Sequence, residues 1–178
     1  MINFSRKWAM PNKETFLINP INKLIHKYLT DGIWIDPFVR DSFFKKRMTF
    51  TNDLNPSFNC THNMDALDFL KTFQDSSIDG LLFDPPYSPR QITECYQNIG
   101  RKTTMQDTQS KFWGDLKKEI SRILKHNGFC ISFGWNSGGI GMCNNFKIVE
   151  ILLVAHGGWH NDTICTVETK FINQLSLF

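Results

Sequence analysis

One short apolar run, Ile78 to Phe83, constrains this chain more than any other stretch. It is bounded by Asp75-Ser76-Ser77 before it and by Pro85-Pro86 after it, and a run of this length between turn residues reads as a strand buried on both faces. Strands of that kind belong to parallel sheets covered by helices, and such sheets bind ligands beyond the carboxyl ends of their strands. The residues that follow, Asp84-Pro85-Pro86-Tyr87, therefore stand where a site would be.

The rest of the pattern agrees. Ile21, Leu24, Ile25, Tyr28 and Leu29 recur at helical spacing behind Pro20, which suits a first turn. Gly32 to Asp36 reads as a strand, Lys45 to Thr51 as a second, and a short third is expected near Phe58 to Thr61. A helix is expected from Ala66 through Phe73. Phe112, Leu116, Ile120, Ile123 and Leu124 stripe a helix over 111–125, stopped by Asn127-Gly128. Phe129 to Phe133 is a further buried strand, and Phe146 to Ala155 with Asp162 to Phe171 form a terminal antiparallel hairpin. Trp8 to Thr15 and the polar stretch from Ser88 to Lys111 read as turn and loop. Alternating strands and helices predict an α/β fold, a doubly wound, mostly parallel sheet, in a single domain of 178 residues.

Composition narrows the classes. A formal charge of +3 permits a polyanionic partner without requiring one. The five cysteines include no C-x-x-C pair, and His156 and His160 share a turn with no third ligand near them, so no metal is expected. The first thirty residues carry Arg6, Lys7, Lys13 and Glu14 and no sustained apolar segment, and the run Ile148 to Ala155 is too short to span a bilayer. A cytoplasmic protein with free thiols, making no membrane contact, is the expectation.

The tetrapeptide after the central strand suits one kind of chemistry. The exocyclic amine of an aromatic base is a poor nucleophile, because its lone pair is delocalised into the ring. Acceptors for both N–H groups would free that pair. Asp84 offers a carboxylate and Pro85 a carbonyl, while the two prolines fix φ and remove competing donors. Tyr87 offers a face on which a base can stack.

At these residues the chain resembles the amino-methyltransferases of nucleic acids, which carry Asp-Pro-Pro-Tyr as their catalytic motif. The resemblance extends over nearly the whole chain. It implies a seven-stranded Rossmann-like methyltransferase sheet, S-adenosylmethionine (SAM) as cofactor, and direct methyl transfer to a base flipped out of its stack. Asp at position 84 favours adenine N6 in DNA. Cytosine N4, an RNA adenine, and a SAM- or DNA-binding subunit assisting a partner remain alternatives.

The family's cofactor motifs can be followed residue by residue. Asp36-Pro37-Phe38 matches the end of the family's first strand, beside which the cofactor's amino-acid end lies. Arg40, Asp41 and Ser42 stand where the common pattern has Gly-Ser-Gly, the chief departure; Arg40 would then pair the cofactor carboxylate, with Asp36 or Asp84 accepting from its ammonium. Asp53 follows Asp36 by close to the ~20 residues typical of a ribose-binding acid in doubly wound folds, although turn chemistry is its plain alternative. Met64-Asp65 resembles the segment that meets the adenine ring of SAM, and Asp65 also reads as a helix N-cap. Phe16 is either a core residue or part of the segment that closes over the cofactor.

Substrate contacts are expected from Tyr87, from Arg90, Arg101 and Lys102 in the polar stretch, and from Trp135, with Trp159 a second candidate for stacking on bases. The implied partner is DNA. No separate target-recognition domain is visible in the sequence, so a homodimer or a separate recognition subunit would enlarge the footprint.

Overall fold

The computed structural model describes residues 1–86, 88–102 and 110–172. Among these, seven strands form one sheet: β1 (Asn3–Trp8), β2 (Trp34–Asp36), β3 (Phe50–Thr51), β4 (Ile78–Phe83), β5 (Leu124–Gly134), β6 (Phe146–Ala155) and β7 (Thr163–Lys170), in the order β1-β6-β7-β5-β4-β2-β3. Only β7 runs against its neighbours, pairing antiparallel with both β5 and β6. The α/β sheet and its terminal hairpin are as the sequence predicts.

Helices α1 (Asn19–Tyr28), α2 (Ala66–Lys71), α3 (Pro89–Gln97) and α4 (Ser110–Ile123) complete the layers. Helix α1 has Pro20 in its first turn and His26 and Lys27 in its last, where positive charge suits the helix dipole. Its buried Ile21, Leu24 and Ile25 pack on one face of the sheet with Trp34 and Leu82. On the other face, α2 and α4 bring Phe69, Leu70, Leu116 and Ile120 against Ile35, Leu81 and Phe83. Strand β4 thus feeds alternate residues to two cores, which is why its sequence is continuously apolar. Each leucine fully buried there contributes roughly 1.5–3 kcal/mol. Gly80 fills a steric need: a Cβ there would collide with the Trp34 indole on the neighbouring strand.

Five expectations need correction. Trp8 is not in a turn: it ends β1, which adds a parallel edge strand to β6. Its burial is low along its length, so the alternating signal of a half-buried strand is weak. The second strand is only Phe50–Thr51, because Lys45–Arg47 is a helical turn. No strand occupies Phe58 to Thr61; a lone bridge from Asn52 to His62 is all that remains of it. Finally, the polar stretch after residue 87 contains α3, whose Ser88 side chain accepts from the Gln91 N–H at 3.2 Å and whose Ile92 and Tyr96 are buried one turn apart. The Asn127-Gly128 pair also has a different use, since α4 ends earlier and the pair lies in an irregular segment of β5, with Asn127 at φ 61°.

Candidate active site

Strands β2, β3 and β4 run parallel, so Asp36, Thr51 and Phe83 end at one edge of the sheet. A cleft of about 500 Å³ opens there, and a smaller hollow of about 180 Å³ adjoins it. Phe38, Arg40 and Asp84 border both.

Asp84 follows β4 directly and is partly accessible from the cleft, next to the buried Pro85. Desolvation raises its carboxyl to about 7, with the Arg40 charge opposing the rise. Asp36 is 1% exposed; its Oδ1 accepts from the Phe38 N–H at 2.9 Å, and its Oδ2 is buried with no hydrogen-bond partner. Burial lifts Asp36 to about 8 against that one N–H, and the nearby charges of Asp84 and Asp53 add to the lift. Asp53 is also raised by burial, opposed by the N–H groups of Asn55 and Arg40 that its carboxylate accepts, at 2.9 and 3.2 Å. Three carboxyls short of solvent and close enough to sense one another make an environment that favours a cation.

The loop after β2 lacks glycine but not glycine's conformation. Arg40 sits at φ 48°, in the left-handed region, and this turns its N–H toward Asp53. The Val39 N–H donates to the Asn52 carbonyl at 3.0 Å, so the loop folds back over the end of β3.

Asn52 is the residue that sequence reasoning missed. It is 1% exposed, and its side-chain amide donates to the carbonyls of Pro37 (3.1 Å) and Met64 (3.0 Å) while its oxygen accepts from the Met64 N–H (3.1 Å). One side chain therefore joins the first loop, the end of β3 and the Met64-Asp65 segment. Thr51 and Thr61 exchange side-chain and backbone hydrogen bonds at 2.7–3.0 Å, which holds that segment in place without a strand. The only sequence signal for Asn52 was its place between a strand and Asp53.

Asp65 caps α2, accepting from the Leu67 N–H at 2.9 Å, and also borders the cleft. Helix α3 closes the cleft through Gln91, Ile92 and Cys95. Phe16 is 5% exposed and packs in the core, 4.7 Å from the Phe133 ring centroid, and it borders the smaller hollow rather than the main cleft.

The substrate candidates are more scattered. Tyr87 lies outside the described residues. Arg90 faces outward on α3 in an ion pair with Glu94 at 2.8 Å, so its charge is locally offset. The Arg101 guanidinium stands over the Tyr96 ring, 4.7 Å from its centroid, and Lys102 is exposed. Trp135 is half exposed just beyond β5, the strand next to β4. Among the described residues no group of three or more His, Cys, Asp or Glu is placed to hold a metal, and no helix is long and apolar enough to cross a membrane.

The fold is that of the SAM-dependent methyltransferases. The chain resembles a SAM-dependent methyltransferase from Methanosarcina mazei at 11% identity and a TM-score of 0.58, over 84% of this chain and 98% of that one. The N-methyltransferase NodS from Bradyrhizobium japonicum is similar at 10% identity and 0.56, over 85% and 94%. The 1,6-didemethyltoxoflavin-N1-methyltransferase from Burkholderia thailandensis, solved with bound 1,6-didemethyltoxoflavin and S-adenosylhomocysteine, is similar at 11% and 0.55, over 86% and 77%. At such identities the likeness is one of fold. No family model and no curated relative matches the sequence.

Proposed function

We propose that the protein transfers a methyl group from SAM to the N6 amino group of adenine in DNA, in the cytoplasm. The observation that carries this reading is Asp84-Pro85 at the mouth of β4, bordering a cleft lined by carboxylates on a methyltransferase fold. The residues present fit the cofactor. The cleft is within the usual size of small-molecule sites. Asp53 and Asp65 border it with acceptor oxygens suited to ribose hydroxyls and an adenine amine, and Asp36, next in sequence to the lining residues Pro37 and Phe38, keeps a buried Oδ2 with no hydrogen-bond partner. SAM would supply a methyl group made electrophilic by its sulfonium, whose C–S bond would break to leave a neutral thioether.

The chain's own residues then orient the nucleophile. Asp84 and the Pro85 carbonyl accept from the two N–H groups of the target amine, which aims its lone pair along the line of transfer. As the N–C bond forms, the nitrogen becomes acidic and its proton leaves to the Asp84 carboxylate or to water. Arg40 borders both hollows, close enough to Asp84 to lower its affinity for protons, and is suited to pair the cofactor's carboxylate. The rival reading, a binding subunit without activity, draws on the missing glycines; the left-handed backbone at Arg40 weighs against it, because the loop keeps the shape that glycine would give. Sequence recognition is left to residues around the cleft, to a second copy of the chain or to a separate subunit.

The test is transfer of labelled methyl from SAM to duplex and single-stranded DNA, with the product nucleoside identified by mass spectrometry. N6-methyladenine is the expected product, and Asp84→Ala should lower kcat by about a hundred- to a thousandfold. Because an ionised Asp84 is the acceptor, kcat/KM should rise with pH through a value near 7. N4-methylcytosine, or transfer confined to RNA, would replace the substrate assignment; SAM binding with no transfer to any polynucleotide would overturn the enzymatic reading.

A further inference from the structure

The sheet edge that carries Asp84 continues well past the cleft, and its far half is lined by tryptophan. Of the five tryptophans, Trp34 is 1% exposed in the core, whereas Trp8, Trp135 and Trp159 are 66%, 50% and 104% exposed. All three stand at the same edge as the cleft. Trp135 follows the last residue of β5, Trp8 is the last residue of β1, and Trp159 lies in the turn between β6 and β7.

Strand register fixes their heights. Gly134 pairs with Ile164, Thr163 with Val154, and Val154 with Lys7, so Trp135 and Lys7 are level and Trp8 is one residue further out. Three inter-strand spacings separate β5 from β1, roughly 14 Å, and one more reaches β4 and Asp84, roughly 19 Å in all. The Gly157 backbone passes near the Trp8 indole: a Cβ on Gly157 would lie 3.4 Å from its Nε1. Gly157 and Gly158, at φ 69° and 60°, take the conformation that carries the turn past the indole.

Charge points to the occupant. Arg6, Lys7 and Lys13 are exposed near this end of the molecule and pair with no carboxylate among the described residues. Of the acids nearby, Asp162 accepts from the His156 N–H at 3.1 Å and Glu14 from the Phe43 N–H at 2.8 Å, while Asp41 borders the smaller hollow together with Lys13. The tryptophans are flanked in sequence by the exposed polar residues Lys7, Asn136, His160 and Asn161, although β1 also exposes Phe4. Protein interfaces are poor in lysine, whereas aromatic faces spaced among cations suit a single polynucleotide strand, whose bases stack while its phosphates meet the lysines.

We propose that the edge formed by the ends of β5, β6 and β1, with the β6–β7 turn, binds single-stranded polynucleotide through stacking on Trp8 and Trp159, and leads that strand toward Asp84. The proposal rests on the reading of the cleft as a site for nucleic acid. It gives β1 a use: the added edge strand extends the track by one platform.

The test is fluorescence anisotropy with a labelled deoxyuridine oligonucleotide of about a dozen residues and its uridine counterpart, which differ only in the 2′-hydroxyl and carry no exocyclic amine. Trp8→Ala and Trp159→Ala should each weaken binding by roughly five- to a hundredfold, with circular dichroism melts unchanged because both side chains are exposed. Whichever oligonucleotide binds tighter identifies the sugar that the track takes. Binding that neither substitution weakens would overturn the proposal. So would absence of binding, and sedimentation showing that Trp8→Ala splits a dimer would instead assign the surface to a second copy. Because the probe cannot be methylated at an amine, its failure leaves the methyl transfer intact, and oligonucleotide binding without any transfer would leave this surface standing while the reaction is lost.

Discussion

At the scale of single residues, Arg40 separates two tasks that the usual glycine combines. Its backbone holds a left-handed turn at φ 48°, which costs a residue with a Cβ on the order of 1 kcal/mol or more, and its side chain brings a cation between Asp84 and Asp53. Arg40→Gly should therefore raise the melting temperature of the cofactor-free protein by a few degrees, from roughly 1 kcal/mol of relieved strain. The same change should weaken SAM binding in calorimetry by about tenfold or more, the worth of a charge-assisted hydrogen bond. A variant that binds SAM as tightly as the parent would remove the guanidinium from the cofactor's contacts. The sequence made the departure from glycine plain, yet a residue type does not reveal the φ it adopts, and only the closed loop shows that Arg40 keeps the glycine shape.

At the scale of elements, the site depends on pieces too short to announce themselves. Strand β3 has two residues, and the segment beside it is tied down by Asn52, Thr51 and Thr61 instead of by a ladder. Removing the Asn52 amide would leave the Pro37 carbonyl and both backbone groups of Met64 without their partner at a buried position. Asn52→Ala is expected to destabilise the fold by about 2–4 kcal/mol, from unmade buried hydrogen bonds, measured as a lower urea midpoint at unchanged slope. It should also raise KM for SAM more than it lowers kcat, since it displaces Phe38 and Asp65 and leaves Asp84 in place. Helix α3 was hidden for a related reason: its sequence is mostly polar, and only the Ser88-Pro89 start and the Ile92 to Tyr96 step mark it as one wall of the cleft.

At the scale of the whole molecule, the carboxyls at the ends of β2 and β4 set the response to pH. Asp36, raised to about 8, and Asp84, raised to about 7, hold protons in the folded state that the unfolded chain releases near pH 4. With more protons bound when folded, stability falls as pH rises from about 4 to about 8 and then levels off. Asp79 and Glu150, lowered by Lys125, Lys27 and Tyr28 despite partial burial, act in the opposite sense and below that window, since their stabilisation is lost only as pH falls. Thermal melts of the cofactor-free protein should therefore weaken between pH 5 and 8, and Asp36→Asn, which keeps the acceptor for the Phe38 N–H, should flatten the slope; an unchanged slope would place the titration elsewhere. The sequence by itself determined the α/β class, the central strand and the carboxylate at its end, because buried strands and proline-bounded turns are written in local pattern. Tertiary structure alone decided that β1 extends the sheet, that Asn52 ties three segments together and that Asp36 lacks a partner. Those depend on which distant residues come to share one edge, and no local pattern carries that information.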